Sequence, residues 1–289
     1  WYLVEIPDGN GQGYVYSSLL TPSTPRTTTN SAAILENSEI ETKLDVKHSV
    51  LDAIWEFNIL KDNTYTESTT GIQFVPIQPG CFQMGSNDGD SDENPMPQVC
   101  LSSYGIGKYE VTQAQWQKVM GNNNNPSGFK GRNKPVEKVS WDDVQGFIRK
   151  LNQQTGQTFR LPTEAEWEYA CRSGGRDQKY CGGNNVNSLG WYFGNSGNET
   201  HDVGQKQANG LGLYDMSGNV LEWVQDHYKN SPTNNPRGST GSSSGKTRGG
   251  SWFNYAAGLR STFLTYRRGR RSVPSYRSDD LGFRLARTR

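Results

Sequence analysis

Apolar and polar positions alternate along the chain in short segments, and three of these segments carry the signature of a helix with a defined start. Each begins with Thr or Ser and has Gln, Asp or Glu three residues later, so that each side chain can cap a backbone group beside the other. The predicted helices run from Thr112 to just before Gly121, from Ser140 to about Leu151, and from Thr163 to about Cys171. Elsewhere Gly, Asn and Ser turns separate short apolar runs. We therefore predict an α+β fold with little regular secondary structure.

Other segments alternate with the period of a strand. Residues 1–20 predict two short strands around an Asp-Gly-Asn-Gly turn, and residues 33–70 contain strand-like pieces such as AIWEFNI. Between them TPSTPRTTTNS has no apolar periodicity and predicts an extended linker. Two further runs, GCFQMG and PQVCLSSY, flank a polar loop and are expected to form a strand pair.

The composition agrees with a turn-rich fold. Hydrophobic residues make up only 32% of the chain, whereas it contains 33 Gly, 8 Trp and 14 Tyr, so large aromatic rings must supply much of the core. No apolar run approaches the roughly 18 residues that a membrane-spanning helix requires. The chain starts at Trp1 rather than at Met, from which we expect a mature or trimmed product.

The net charge of +1 conceals a basic C-terminal end. From Arg248 onward there are 10 Arg against 2 Asp, a net charge of +8, and no Lys. Such an end can attract nucleic acid. Most of these arginines stand singly among turn residues, where contacts to carboxylates and backbone carbonyls are typical. We therefore favour structural or small-ligand roles over nucleic-acid binding.

Four cysteines occur, and their even number favours two local disulfides and an oxidising compartment over free thiols. Cys81 and Cys100 belong to the two strand-like runs and are able to face each other across a strand pair. Cys171 and Cys181 flank a short Gly-rich segment. None of them has the CxxC spacing of a zinc site.

Few residues have the pattern of a metal or catalytic centre. The acidic loop from Asp88 to Glu93 lacks the Gly at position six and the Glu at position twelve of a helix–loop–helix calcium site. The three histidines have neither the pairing of a metal centre nor that of a Ser-His-Asp triad. In GLGLYDMSGNVLEWVQD two carboxylates and two carbonyls are able to surround a calcium ion, with a tight turn feeding a strand as the alternative. The candidate ligands are Asp215, Gly218, Val220 and Glu222.

Seven blocks in order resemble one known family, the formylglycine-generating-enzyme or sulfatase-modifying-factor domain. The blocks are FVPIQPGCFQMGS (74–86), YGIGKYEVTQAQW (104–116), PVEKVSWDDV (135–144), RLPTEAEWEYACR (160–172), GLYDMSGNVLEW (212–223), RGGSW (248–252) and LGFRLAR (281–287). The resemblance covers residues 71–289 and implies a C-type-lectin-like fold. Residues 1–20 resemble the last strands of a bacterial SH3-like module, and residues 21–70 are expected to be linker and short strands.

The family's catalytic thiols are replaced in this chain. The resemblance places two copper-binding cysteines, five residues apart, just after the Gly-Gly-Ser corner, where Asn254 and Leu259 stand. Neither side chain supplies a thiolate, and no Cys follows Cys181. The Asn that the family has before LGFR is Asp280 here. We expect neither copper nor formylglycine-generating activity.

The same resemblance bears on calcium and on the second disulfide. Asp215, Gly218, Val220 and Glu222 fall on positions that bind calcium in the family, so a structural calcium ion is predicted there. The family partner of Cys171 would fall at Leu285, which leaves Cys181 as its substitute.

One branch of the family binds ligands without catalysis. The variable proteins of diversity-generating retroelements resemble this chain in carrying RGGSW and GFR blocks with diversified residues between them. Aromatic, Arg, Asn and Ser side chains on a fixed frame suit an adaptable binding surface. The predicted ligand-binding residues are Phe253, Asn254, Tyr255, Leu264, Tyr266, Arg268, Arg270, Ser275, Tyr276, Ser278 and Asp279.

The sequence thus predicts a secreted, periplasmic or surface-displayed protein that binds a protein or cell-surface ligand through its C-terminal face. Two alternatives stay open. One is an enzyme with altered chemistry at Ser251 or Asp280, and the other is a structural component of an envelope assembly.

Overall fold

The computed structural model describes residues 2–5, 12–15, 64–87, 96–225, 235, 246–263 and 274–288. The chain forms two compact units, Trp1–Asn58 and Ile59–Arg289. In the first unit β1 (Tyr2–Glu5) and β2 (Gln12–Val15) pair as an antiparallel hairpin. These are the two strands expected within residues 1–20.

All three capped helices are present in the second unit. They are α1 (Gln113–Met120), α2 (Trp141–Thr155) and α3 (Glu164–Cys171), and a short α4 (Val186–Leu189) follows. In each of the first three, the capping Thr or Ser accepts from the third helical residue, whose side chain accepts in return. The second helix extends four residues beyond the predicted Leu151, because the first left-handed residue that ends it is Gly156.

The strands of this unit are short and form three small sheets. They are β3 (Tyr65–Thr66), β4 (Gln73–Ile77), β5 (Gly80–Gln83), β6 (Gln98–Leu101), β7 (Tyr104–Gly107), β8 (Phe159–Arg160), β9 (Leu221–Trp223), β10 (Thr247–Arg248), β11 (Leu281–Gly282) and β12 (Ala286–Arg287). The largest sheet has the order β3-β4-β7-β12-β8 and joins residues far apart in sequence. A smaller sheet, β10-β9-β11, brings the Arg248 segment beside the C-terminal segment. The sheet begins before Gly71, because β3 already pairs with β4.

Large aromatic side chains fill the interior, as the composition predicted. One apolar cluster lies around α1 and α2, where the Trp116 and Phe147 rings stack at 5.2 Å. A second lies around α3 and includes the fully buried Trp167. A third, small cluster contains Leu259. Within the second unit, short elements packed around these clusters are thus connected by loops.

Both pairs of cysteines form disulfides. Cys81 and Cys100 are joined, as direct cross-strand partners of β5 and β6. Cys171, the last residue of α3, is joined to Cys181. All four cysteines of the chain are therefore oxidised.

Candidate functional site

The Arg248–Trp252 corner turns sharply because both of its glycines adopt positive φ. Gly249 has φ +94° and Gly250 has φ +73°, a region that side chains rarely tolerate. A Cβ atom on Gly250 would also lie 2.6 Å from the carbonyl oxygen of Gly258. The backbone of the corner therefore packs directly against the short 3₁₀ helix Ala256–Leu259.

Arg248 holds both ends of the loop that follows the corner. Its side chain is fully buried, and its Nη2 donates to Glu168 Oε2 at 2.5 Å. The same guanidinium donates to the carbonyl oxygens of Ser261, Thr262 and Phe263 at 3.1 to 3.3 Å. A planar guanidinium suits this role because its five N–H groups point in fixed directions. The loop thus begins directly after Arg248 and ends at residues whose carbonyl oxygens accept hydrogen bonds from the same side chain.

Asn254 and Leu259, which stand where the family resemblance predicts the thiols, both make contacts inside the protein. Asn254 Oδ1 accepts a hydrogen bond from Ser251 Oγ at 2.8 Å. Leu259 is fully buried and packs with Tyr180 and Leu189. Ser251 is itself buried, with its Oγ 3.5 Å from Asp280 Oδ2. At these positions the chain thus has an amide bonded to a hydroxyl and a fully buried apolar side chain.

Three aromatic rings are exposed on and beside this loop, and we call them the aromatic surface: Phe193, Phe253 and Tyr255. Their exposed fractions are 43%, 54% and 73%, which makes them the exposed large hydrophobic residues of the described part of the chain. The Phe193 and Tyr255 rings contact each other with centroids 5.1 Å apart. The backbone N–H of Phe193 donates to the carbonyl oxygen of Asn254 at 2.9 Å, so two separate loops build one surface.

Trp252 supports the aromatic surface from below. Its ring makes edge contacts with Phe253 and with Phe129 at 5.3 and 5.2 Å. Its Nε1 donates to the carbonyl oxygen of Asp279 at 3.1 Å, and its own carbonyl accepts from Ser196 Oγ at 3.0 Å. These contacts and hydrogen bonds hold Trp252 in place under the aromatic surface. The base of that surface is therefore ordered in the absence of a ligand.

The structure places only some of the other predicted binding residues. Leu264, Tyr266, Arg268 and Arg270 lie outside the described residues. Ser275 is exposed, whereas Tyr276, Ser278 and Asp279 are half-buried. Tyr276 packs against the core, and the carbonyl oxygens of Ser278 and Asp279 accept hydrogen bonds from Lys138 and Trp252. The three half-buried residues therefore also have packing or hydrogen-bonding roles in the frame.

A buried carboxyl lies close to this base. Glu137 is fully buried, and its Oε1 accepts from the backbone N–H of Phe129 at 2.8 Å. Its Oε2 has no hydrogen-bond partner among the described residues. Burial raises the pKa of Glu137 to about 7, although the backbone N–H groups of Phe129 and Gly128 and the nearby Lys138 favour the ionised form. The protein therefore holds a proton at Glu137 at mildly acidic pH.

The predicted calcium segment is joined to a buried arginine. Both oxygens of Glu222 accept from Arg284 at 2.7 Å, and Glu222 Oε2 also accepts from Trp167 Nε1 at 2.8 Å. A cation at Glu222 would have to displace this guanidinium. Glu222 is therefore engaged in an internal ion pair, and calcium binding by Asp215, Gly218, Val220 and Glu222 remains a prediction.

Asp215 and Glu110 complete this acidic cluster. Asp215 Oδ2 accepts from the backbone N–H of Gly204 at 2.7 Å, whereas its buried Oδ1 has no partner among the described residues. Burial raises the pKa of Asp215 to about 6, and burial together with Asp215 and Glu222 raises that of Glu110. Glu110 accepts from Asn219 Nδ2 and from the backbone N–H of Val220. Across the described ranges, no group of three or more His, Cys, Asp or Glu residues is arranged to hold a metal ion.

Sequence reasoning did not find Phe193 or the role of Glu137. The signal for Phe193 is the run WYF, residues 191–193, between Gly190 and Gly194, since three aromatic residues in a turn cannot all be buried. No local pattern predicts that Glu137 is buried, because its environment is formed where the chain around Phe129 folds back against it.

These features define a C-type-lectin-like scaffold that holds a loop-built surface, and comparison with known proteins gives its family. The model of the sulfatase-modifying factor enzyme 1-like domain matches residues 61–289. The chain belongs to this family, as its seven sequence blocks indicated.

Three relatives show the range of proteins built on this domain. The chain is 35% identical over 223 residues to the chaperone protein LppX of Paenibacillus barcinonensis, covering 59% of this chain and 77% of that protein. It is 28% identical over 287 residues to the formylglycine-generating enzyme of Mus musculus, covering 74% of each. Among solved structures, variable protein 1 of Treponema denticola is similar with a TM-score of 0.69 and 33% identity, covering 78% of this chain and 98% of that one. The family thus includes an enzyme and a variable protein, and the chain shares the scaffold of both.

Within the described residues, no helix has the length and apolar content to cross a membrane.

Proposed function

We propose that this protein binds a protein or cell-surface ligand through the aromatic surface and the adjoining C-terminal segment, without catalysis. The observation that carries the proposal is the exposure of Phe253 and Tyr255, on a loop whose two ends are held by buried Arg248, together with Phe193 on the neighbouring loop. Exposed aromatic rings on a fixed frame are typical of the centre of a binding interface. Similarity to variable protein 1 supports a scaffold on which such a surface varies.

The proposal also accounts for the replaced thiols. Asn254 and Leu259 stabilise the loop in the places where the enzymes of the family carry cysteines, and all four cysteines of the chain are in disulfides. We infer that the protein does not generate formylglycine. Incubation with copper and a cysteine-containing sulfatase peptide should leave the cysteine unchanged, and its conversion to an aldehyde would overturn this part of the proposal.

The ligand is tested by a screen against surface proteins and glycans with matched variants. Tyr255→Ala and Phe193→Ala each remove an exposed ring, and burial of such a ring contributes about 1.5–3 kcal/mol, or at least a tenfold change in affinity. Tyr266→Ala tests the segment outside the described residues. Gln154→Ala, an exposed position on α2, is the control and should leave affinity unchanged. If every detected ligand binds Tyr255→Ala and Phe193→Ala as tightly as the unaltered protein, the binding surface is misplaced.

We further propose that the C-terminal surface is diversified by a retroelement. A template repeat and a reverse-transcriptase gene beside the coding sequence would support this, together with variants concentrated between the RGGSW and GFR blocks. A gene neighbourhood without either element would contradict it.

We propose an exported or surface-displayed location. Two disulfides persist best in an oxidising compartment, which supports such a location. Fractionation of the producing cell tests this, and recovery of the protein only with reduced cysteines in the cytoplasm would contradict it.

A further inference from the structure

A second candidate site lies at the end of β4, a strand of the largest sheet. β3 pairs with β4 only at Gln73 and Phe74, so the rest of β4 has no partner on that side within the described residues. A cavity of about 260 Å³ opens there. Its walls include Val75, Pro76 and Leu211, which are apolar, and none of its lining residues belongs to the aromatic surface or the Arg248 corner.

Three of the side chains around this cavity can donate hydrogen bonds. Lys108 lines it, and within the described structure its ammonium has no carboxylate partner, lying only over the rings of Tyr109 and Tyr214 at 5.8 and 5.9 Å. The hydroxyl of Tyr169 and the amide of Gln78 also belong to lining residues. The Gln78 Nε2 atom is buried and has no hydrogen-bond partner among the described residues. No Asp or Glu lines the cavity.

Tyr169 is held rigidly at the cavity wall. A Cβ atom on Gly80 would lie 2.1 Å from its hydroxyl oxygen, so the absence of a side chain there makes room for the hydroxyl. The ring makes an edge contact with Phe82 at 5.3 Å. On the cavity side, a Cβ on Gly174 would lie 3.9 Å from the hydroxyl, and a Cβ on Gly212 would meet no atom within 4 Å. The hydroxyl is thus fixed by packing on a residue that lines the cavity.

Lys108 is also fixed through its backbone. Its N–H donates to the carbonyl oxygen of Gln73 at 2.8 Å, and its own carbonyl accepts from the N–H of Tyr214 at 3.0 Å. A lysine that lines a partly apolar cavity and has no carboxylate partner among the described residues is a charge whose natural complement is an anion.

We propose that this cavity binds a small carboxylate with an apolar body. The carboxylate accepts from Lys108 and Tyr169, with Gln78 as a third donor after rotation of its amide. The apolar body packs on Val75, Pro76 and Leu211. The volume is below the range of roughly 300–1,000 Å³ typical of drug-sized ligands, so the ligand is a short aliphatic or single-ring acid.

The experiment uses hexanoate as probe, with hexanamide and hexylammonium as isosteres that lack the negative charge. Chemical-shift mapping on the full chain should place hexanoate at β4 and Lys108, with a dissociation constant on the order of 1 mM. Hexanamide should bind about tenfold more weakly, because it loses the charge-assisted hydrogen bond. Hexylammonium should not bind at this cavity.

Matched variants separate the site from general effects. Lys108→Met should weaken hexanoate binding about tenfold or more, and Tyr169→Phe about threefold to tenfold. Lys206→Met and Tyr180→Phe, whose side chains do not line the cavity, should leave binding unchanged. Circular dichroism and thermal unfolding establish that each variant is folded.

Two results would overturn the proposal: no shift at β4 with hexanoate at about 10 mM, or equal affinity of the unaltered protein, Lys108→Met and Tyr169→Phe. The proposal is independent of the aromatic surface. Tyr255→Ala should therefore bind hexanoate normally, even where it loses the macromolecular ligand.

Discussion

Replacing Glu137 with Gln should remove a pH-dependent loss of stability that arises at the base of the aromatic surface. In the folded protein the pKa of Glu137 is raised from 4.5 to about 7 by burial. Below about pH 4.5 the carboxyl is protonated in both the folded and the unfolded chain, so it contributes no pH dependence. Between about pH 4.5 and pH 7 the folded chain keeps the proton that the unfolded chain loses, and the free energy of unfolding falls as pH rises. Above about pH 7 the free energy of unfolding has fallen by the full amount that this carboxyl can contribute.

The magnitude follows from the two pKa values. Each unit of difference corresponds to about 1.4 kcal/mol, so the ionised carboxylate lowers the free energy of unfolding by up to about 3 kcal/mol above neutral pH. Glutamine keeps an oxygen that can accept from the Phe129 N–H and cannot ionise. Glu137→Gln should therefore be more stable than the unaltered protein at alkaline pH by up to about 3 kcal/mol, and the advantage should vanish near pH 4.5.

The assay is urea unfolding followed by tryptophan fluorescence, with disulfides intact, at a series of pH values from about 4.5 to 8.5. The difference between the two proteins isolates Glu137, since Asp215 and Glu110 titrate in both. Glu199→Gln is the control, because this carboxylate is exposed and its contact with Lys134 should change stability by less than about 1 kcal/mol at every pH. Parallel stability curves for Glu137→Gln and the unaltered protein would refute the reasoning.

Three further predictions concern the frame. Arg248→Met should lower the free energy of unfolding by about 3–5 kcal/mol in urea titrations, because Glu168 then lies buried without this partner, and a loss below about 1 kcal/mol would contradict the role of the guanidinium. Removing the Cys171–Cys181 disulfide by double substitution with Ser should cost about 3 kcal/mol, as expected for a loop of this length, and an unchanged unfolding midpoint would show that the bridge is not stabilising. The predicted calcium site requires Glu222 to release Arg284, so binding of calcium there should raise the thermal unfolding midpoint, and an unchanged midpoint on adding calcium would contradict the calcium prediction.

Local sequence signals placed three of the four described α-helices, whereas the short α4 was not predicted. The three capping pairs place the helix starts correctly, since a cap depends only on side chains three residues apart. The C-terminal boundary of α2 was less accurate, because Gly156 and not the last apolar residue ends it. The family blocks then supplied the fold, which no local pattern specifies when most strands are two to five residues long.

The surface was harder to predict because it joins segments far apart in sequence. Phe253 and Tyr255 lie beside a recognisable corner, whereas Phe193 reaches them only through the hydrogen bond between its N–H and the Asn254 carbonyl. The prediction for Glu222 rested on family positions, and the sequence does not reveal that Arg284 reaches the same carboxylate. The ligand-binding and calcium roles remain predictions for the experiments described above.

Arg248 affects the heat-capacity change that accompanies ligand binding. Because it clamps Ser261 to Phe263 beside the corner, the loop that carries Phe253 and Tyr255 is already ordered before a partner arrives. Binding through those rings should then involve no coupled folding. Calorimetry should show a small negative heat-capacity change, set by the apolar area of a few rings. In Arg248→Met the loop should order only on binding, which should make the heat-capacity change more negative.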